Sequence, residues 1–433
     1  MSFPSSFSSR TAFAPWVLAA LAACGVVQAA EPPADSVAPP AFAGASLPDG
    51  PPLDLQQALA LALDGNPGLR AARQALAATE GAVLQSQARP NPELAWSQED
   101  TRRSTRTLTV QLNQTLEVGG KREARMRVAE RGRDLARAEL AGTEAALRAD
   151  VGAAFFGVLA AQQRVVLAGQ TLEIASSARE AAARRVAAGK VAPLEETRAR
   201  VAESGALLEQ ARARSALRVA RGQLQALWGE SVRPFGQAEG AVDALPQLPE
   251  LAALQQRIEQ APAVLRARQA LEQSRATAEL ERARRLPDPT VSLGVKRATE
   301  VGRNQLVVGV SVPLPVLDSN RGNQLQALRL ADQAEEQLLA TRVQLQAQLF
   351  EARELLQSSR EQARQLAEEV LPTARTAYEL ASRGFALGKF AYLDVLDAQR
   401  TWSEARSQYL DQLLATHRAA ADIDRLLGTE AGL

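Results

Sequence analysis

The sequence is poor in the residues that build metal centres and catalytic sites. Among its 433 residues are one histidine, one cysteine and two methionines, namely His417, Cys24, Met1 and Met126. Zinc and copper sites use histidine and sulfur ligands, so the usual ligand sets are missing. No serine–histidine–aspartate set, phosphate loop or paired-histidine motif occurs either. We therefore predict no metal ion, no cofactor and no enzymatic activity.

Aromatic residues are scarce, and charge of one sign is not in excess. Aromatics make up 4% of the chain, and 50 basic residues face 49 acidic ones, for a formal net charge of +1. Opposite charges alternate along the sequence and form no blocks, which argues against a nucleic-acid partner. Alanine, leucine, glutamine, glutamate and arginine dominate, as is typical of long helices packed through small side chains.

The N-terminal residues have the pattern of an export signal. Arg10 supplies a positive charge, an apolar stretch over 11–23 follows, and small residues come next. Two cleavage sites are open. Either residues 1–29 form an ordinary signal peptide, or the signal ends at residue 23 and Cys24 becomes a lipidated N-terminus. The mature chain has no disulfide in either case.

The rest of the chain is a duplication. Residues 183–230 align without a gap with residues 382–429. The clearest correspondences are Gly189-Lys190 with Gly388-Lys389, Leu194-Glu195 with Leu393-Asp394, and Leu227-x-Gly229 with Leu426-x-Gly428. A period of this length is too long for a solenoid, so the chain contains two copies of one large unit.

The duplication predicts the domain boundaries. Residues 30–52 are rich in proline, alanine and glycine and are predicted to be a flexible lead-in. The first copy then spans 53–230, a linker spans 231–249, and the second copy spans 250–430.

Each copy is predicted to contain a long helical hairpin. No proline occurs between Pro92 and Pro193, and the pattern predicts a helix from Lys121 to Val186, about 100 Å long at about 1.5 Å per residue. The second copy has its counterpart from Arg321 to Arg383, where Pro372 predicts a kink. A glycine turn and a return helix follow each rod, over 193–229 and 392–427.

Four segments ahead of the rods alternate apolar and polar residues and predict two strand hairpins. Their tips are expected near 101–105 and 299–303. One face is apolar, and the other carries Glu93, Thr109, Gln111, Asn113, Ser292, Lys296 and Ser311. Such strands in an exported chain with rod-like helices fit an outer-membrane barrel, lipid outside and water inside. Four strands cannot close a barrel, so we predict an oligomer.

These features resemble the TolC-type outer-membrane factors of tripartite efflux systems, over about residues 53–430. The resemblance rests on the duplicated plan, on the run Asp394-Val395-Leu396-Asp397-Ala398 after Arg383 and Gly388, and on a weaker echo from Arg184 to Leu194. The junction motifs Glu117-x-Gly119-Gly120-Lys121-Arg122 and Pro313-Leu314-Pro315 with Asn320-Arg321-Gly322 look most like the CzcC-like heavy-metal branch.

The resemblance implies a mainly α protein with a small β part, in which a trimeric outer-membrane β-barrel continues as a periplasmic α-helical barrel. It also implies an exit duct for heavy-metal cations that works with a periplasmic membrane-fusion adaptor and an inner-membrane RND pump. Two alternatives stay open: a channel of the same kind for drug efflux or type I protein secretion, and a periplasmic helical adaptor or scaffold without lipid-facing strands.

The resemblance also singles out functional residues. Asp394 and Asp397 lie three apart, so both can share one helix face, and three subunits would form a ring of carboxylates that gates the periplasmic end. The alternative is that these acids only stabilise a helix start.

Two further sets of residues follow from the same resemblance. The turns that would dock the adaptor comprise Arg184, Gly189, Lys190, Arg383, Gly388 and Lys389. The strand–helix junctions comprise Gly119, Gly120, Pro313 and Pro315, for which we expect a structural role, because glycine and proline suit sharp changes of direction.

Overall fold

The structure is a computed structural model that describes residues 50–229 and 234–429. The predicted signal peptide and the possible lipidation site at Cys24 lie outside these residues.

The order of elements repeats, as the sequence duplication predicts. The first half contains α1 (Leu55–Gly65), α2 (Pro67–Gln87), β1 (Glu93–Glu99), β2 (Thr107–Thr115), α3 (Lys121–Ala187) and α4 (Pro193–Ala226). The second half contains α5 (Leu251–Arg257), α6 (Pro262–Ala283), β3 (Thr290–Ala298), β4 (Asn304–Ser311), α7 (Arg321–Gln365), α8 (Leu371–Ala386) and α9 (Tyr392–Leu427). The mainly helical class with a small sheet is confirmed.

The first rod, α3, is 67 residues long and ends one residue beyond its predicted end. The second rod is interrupted where the sequence predicts a kink. A π-helical turn over Leu366–Val370 separates α7 from α8, directly before Pro372. Proline has no N–H to donate to the carbonyl four residues back, and a π turn is a common way for a helix to accommodate such a break.

Among residues 50–229 and 234–429, helix α3 contains a strongly apolar segment. One 18-residue window there has a mean hydropathy of 1.5, enough by length and composition to cross a membrane, and half of it is buried. Val151, Phe155 and Val158 in this region are at most 1% exposed. They belong to a core cluster that α1, α4 and α9 complete, so tertiary packing accounts for the apolar character of this segment.

The four strands form one antiparallel sheet in the order β1-β2-β3-β4, and its register separates two chemically different faces. One face carries the cross-strand rows Leu94, Leu112, Leu293, Val308 and Trp96, Val110, Val295, Leu306. The other face carries the rows Ser97, Thr109, Lys296, Gln305 and Glu93, Asn113, Ser292, Gly309. The alternation expected from the sequence is therefore carried consistently across all four strands.

In this sheet the apolar face is exposed and the polar face is the more buried one, which is the reverse of a sheet in a water-soluble protein. The apolar side chains are the exposed ones, with Leu94 at 75%, Leu306 at 73% and Trp96 at 64%. Thr109, on the polar face, is only 9% exposed. No helix of the described chain packs along the apolar face. A water-soluble sheet hides its apolar face against a core, and this sheet does not.

Residues 234–249, which the sequence predicts as a linker, pack against the first core cluster. Phe235, Ala238 and Val242 are each at most 8% exposed. Ala238 forms a parallel bridge with Leu53, and the buried guanidinium of Arg221 donates to the carbonyl of Gly236 at 2.5 Å.

His417 fixes the same segment from the side of α9. Its ring stacks on Phe156 with centroids 3.6 Å apart, and Nε2 lies 2.9 Å from the carbonyl oxygen of Val242. The ring is 2% exposed, and Nδ1 has no hydrogen-bond partner in the part of the chain that the structure describes. Burial lowers the pKa of His417, so the neutral ring donates to Val242.

We expect His417 to make stability depend on pH. Its folded pKa lies below the ordinary value of 6.5, so the unfolded chain binds the extra proton as the pH falls below that value. This contribution to the free energy of unfolding is present above pH 6.5 and is lost as the pH falls through the folded pKa. His417→Phe, which keeps the stacked ring and removes the titration, should show a smaller drop in melting temperature than the wild type between about pH 7.5 and about pH 5.5.

The chain has a single histidine, so no other imidazole titrates in this pH range. A difference between the two proteins in the drop of melting temperature is therefore assigned to His417. An equal drop in melting temperature in both proteins would contradict the assignment.

Candidate channel and docking sites

The turns that end the two rods have the same backbone geometry. Gly189 and Gly388 have φ values of +66° and +74°. After them, the N–H of Lys190 donates to the carbonyl of Arg185 at 2.9 Å, and that of Lys389 donates to the carbonyl of Gly384 at 2.8 Å. This is the Schellman pattern, in which a left-handed residue closes the helix end. The sequence repeat at these positions is therefore a repeat of structure.

The charged residues of the two turns are exposed. Arg184 and Arg383 each contact an acid one turn earlier, Glu180 at 3.7 Å and Glu379 at 3.6 Å. Pairs as exposed as these add little stability. Two large apolar side chains beside the second turn are also exposed, Leu387 at 73% and Phe390 at 51%. The tips thus expose both charged and apolar groups.

The tips of the two hairpins are joined within one chain. The guanidinium of Arg185 lies 4.1 Å from the ring centroid of Phe385 and donates to the carbonyl of Phe385 at 2.8 Å. Tyr392 is 3% exposed, and its hydroxyl and Glu195 Oε2 are buried without a hydrogen-bond partner among residues 50–229 and 234–429. Burial, with the charge of Glu195 as a lesser cause, raises the pKa of Tyr392 to about 12. The sequence comparison between the repeats missed this joint.

Asp394 and Asp397 are both exposed at the start of α9. Oδ2 of Asp394 accepts a hydrogen bond from the N–H of Ala391 at 2.9 Å, so this acid does fill the role of a helix-start residue. The two carboxylates lie three residues apart on one helix. The counterpart of Asp394 in the first copy is Glu195, which instead faces the buried joint with Tyr392.

The junctions between strands and rods use glycine and asparagine in the left-handed region. Gly119 and Gly120 have φ values of +74° and +71°, and Asn320 has +57° before the second rod. A Cβ on Gly119 would lie 2.6 Å from a side-chain carbon of Leu286. Asn320 also donates to the carboxylate of Glu281 at 2.9 Å. Pro313 and Pro315 are exposed between β4 and this asparagine.

Over residues 50–229 and 234–429, no group of three or more histidine, cysteine, aspartate or glutamate side chains converges in a way that could hold a metal ion.

Comparison with known proteins identifies the family. The sequence profile of the outer membrane efflux proteins matches residues 58–230 and 253–429. The chain belongs to this family. Among its relatives is the cobalt-zinc-cadmium resistance protein CzcC of Cupriavidus metallidurans, 49% identical over 377 residues that cover 87% of this chain and 90% of the relative. The nickel and cobalt resistance protein CnrC of the same organism is 30% identical and covers 67% and 69%.

Solved structures confirm the fold of this outer membrane efflux protein. CusC superposes with a TM-score of 0.75 at 20% identity, covering 86% of this chain and 91% of CusC. The Campylobacter jejuni outer membrane channel CmeC gives a TM-score of 0.74 at 15% identity, covering 87% and 86%. The predicted resemblance, fold and outer-membrane location are confirmed, and the alternative of a periplasmic helical adaptor or scaffold without lipid-facing strands is not supported.

We expect replacement of Gly388 to impair docking more than insertion into the membrane. A Cβ at this position has nothing within 4 Å, so Gly388→Ile strains only the turn, by about 1–2 kcal/mol for a left-handed non-glycine residue. Chemical cross-linking to the periplasmic adaptor should fall, while the amount of heat-sensitive oligomer in the outer membrane should stay at the wild-type level.

Gly302→Ile is the matched control, because Gly302 is also left-handed, with a φ of +66°, has open space around it and lies between β3 and β4, away from the periplasmic tips. Loss of the oligomer in Gly388→Ile would show instead that the turn is needed for assembly.

Proposed function

We propose that this outer membrane efflux protein is the exit channel of a tripartite efflux system that exports heavy-metal cations. The observation that carries the proposal is the sheet, whose apolar face is exposed and whose polar face is the more enclosed one. The substrate class comes from the relatives, whose names state resistance to cobalt, zinc, cadmium and nickel. The channel itself carries out no chemistry, and the pump supplies the energy.

The proposed assembly is a homotrimer. The strand order leaves β1 and β4 with one unpaired edge each in the described chain, and further copies supply the missing strands. Three copies with four strands each give the twelve-stranded barrel that the family resemblance implies. In a membrane such closure is required, because an open edge leaves backbone polar groups without partners.

The lateral helices support the same conclusion. α4 packs mainly on α3 and exposes apolar side chains to solvent, including Val201 at 68% and Leu208 at 63%. On the other side α7 exposes Val343 at 66% and Phe350 at 54%. These unpartnered apolar surfaces fit a tube closed by helix packing between neighbouring copies.

The proposed partners are a periplasmic membrane-fusion adaptor at the tips and, through it, an RND pump in the inner membrane. The exposed turns around Lys190 and Lys389 are the docking surface, since exposed cations and open backbone groups can bond acids and carbonyls of a partner. Asp394 and Asp397 form the periplasmic gate, where a ring of carboxylates attracts cations and repels anions.

Labelling along one strand tests the membrane-spanning role of the sheet. Single cysteines at residues 107–113 should alternate in their reactivity. Those at Leu108, Val110 and Leu112 should react with lipid-soluble reagents, and their neighbours with water-soluble ones, because only this register satisfies both solvents. The wild-type chain provides the background, because its single cysteine is either removed with the signal or lipidated in the two cleavage alternatives. Continuous labelling by the water-soluble reagent would overturn the barrel, and a monomeric mass in mild detergent would overturn the trimer.

We expect the double change Asp394→Asn with Asp397→Asn to weaken cation selectivity in planar bilayers. Fixed carboxylates concentrate cations locally, so block by divalent cations should fall as well. The difference from wild type should shrink with salt, because the Debye length falls from about 10 Å at 0.1 M to about 3 Å at 1 M.

The matched control is Glu368→Gln with Glu369→Gln, which removes the same charge from exposed positions in the π turn. If the Asp394 and Asp397 variant has the cation selectivity and the divalent-cation block of the wild type at low salt, the gate is refuted. These acids would then only stabilise the start of the helix.

A further inference from the structure

Five arginines lie together at the end of the sheet that is remote from the helices. Arg102 and Arg103 are in the β1–β2 loop, Arg106 precedes β2, Arg297 lies near the end of β3, and Arg303 precedes β4. All five are exposed, and none has an ion pair within the part of the chain that the structure describes. Elsewhere many arginines contact an acid three or four residues away, as Arg200 does with Glu196 at 3.0 Å.

Two of the three acids beside these arginines are engaged with other groups, and the third, Glu300, is exposed in the β3–β4 turn and has no ion pair among the described residues. Asp100 accepts hydrogen bonds from the Thr105 hydroxyl and, at 3.0 Å, from the N–H of Arg102. Glu99 lies 3.7 Å from the ammonium group of Lys296 on the polar face. The arginine cluster therefore keeps a positive charge that its own loops do not neutralise.

Two of the five belong to the apolar face. Arg297 pairs with Leu108 across the sheet, in the row directly beyond Val110 and Val295. The N–H of Thr299 donates to the carbonyl of Arg106 at 3.0 Å, which places Arg106 two residues before Leu108 on the same face. Arg106 and Arg297 are thus diagonal neighbours, a separation that long side chains can span, so both guanidinium groups can reach one anion on this face.

The pair lies where the apolar face ends, at the end of the sheet remote from the helices. The apolar face runs along β3 from Val291 to Arg297, about 20 Å at about 3.3 Å per residue. Outer-membrane barrels have an apolar band about 25 Å tall. The helices continue from the opposite end of the sheet, on the periplasmic side, so this pair lies at the outer surface of the membrane.

We propose that Arg106 and Arg297 form a binding site for the phosphate group of an outer-leaflet lipid. A guanidinium offers two parallel N–H donors that match phosphate oxygens, and the apolar wall of Leu108, Val295 and Leu306 lies beside the acyl chains. This wall selects a lipid over a free anion. Arg102, Arg103 and Arg303 raise the local positive potential from the loops. The site rests on the proposed membrane-spanning role of the sheet and goes beyond it.

The test is a titration of the full-length protein in mild detergent with fluorescent lipid A, read as anisotropy. Lipid A with its phosphates and the same lipid with the phosphates removed form the two arms, and inorganic phosphate is the competitor. The variant is Arg106→Gln with Arg297→Gln. The matched control, Arg102→Gln with Arg103→Gln, removes the same charge from the loop.

We expect the wild type to prefer phosphorylated lipid A, and the Arg106 and Arg297 variant to raise the Kd for it at least about tenfold. The control variant should change the Kd less than about threefold, and the Kd for the phosphate-free lipid should stay constant throughout. Equal Kd values for the two lipids in the wild type would overturn the site. An equal rise in Kd in both variants would overturn a site at Arg106 and Arg297, because it would show that only the general positive charge of the loops attracts the lipid. Competition by inorganic phosphate at equal concentration would show that the ligand is not a lipid.

Single-channel conductance of every variant separates this inference from the proposed function. A conducting channel without phosphate preference refutes the lipid site alone, whereas a wild type that forms no channel refutes the function on which the site rests.

Discussion

The rest of the structure depends on the need of every backbone N–H and C=O in lipid to find a partner within protein. In the four-stranded sheet only β2 and β3 are paired on both sides. The chain therefore specifies the wall of a pore without being able to close it. The helices are incomplete in the same way, because α4 and α7 expose apolar surfaces that no other part of the described chain covers. Assembly of copies and membrane insertion are thus two results of one requirement.

The turns at the tips of the duplicated halves have the same backbone geometry but different side-chain contacts. The turns at Gly189 and Gly388 have matching hydrogen bonds, whereas the residues that join the two tips are not equivalent. Arg185 and Glu195 come from the first copy, and Phe385 and Tyr392 from the second. The contact between the two tips is therefore made by non-equivalent residues, which the two copies acquired by diverging after the duplication.

Much of the fold can be predicted from the sequence because its signals are local and periodic. Proline spacing and composition predict α3 to within one residue, and alternation predicts all four strands and their common faces. Contacts between residues far apart in the chain carry no such signal. The stacking of His417 on Phe156, the burial of residues 234–249, and the joint at Tyr392 each depend on side chains that only the folded chain brings together. For Asp394 and Asp397, the sequence predicts a shared helix face, and the structure adds the contact of Asp394 with Ala391.

The π turn over Leu366–Val370 has a geometric consequence for the second rod. A π turn holds one more residue than an α turn, and each residue of an α-helix corresponds to about 100° of rotation about the axis. The angular position of every side chain in α8 is therefore offset from the pattern that α7 would continue. The number of residues in the π turn near Pro372 therefore sets the direction in which the second tip points. A deletion of one residue in that turn would rotate the tip about the helix axis, although the sequence of the tip itself would be unchanged.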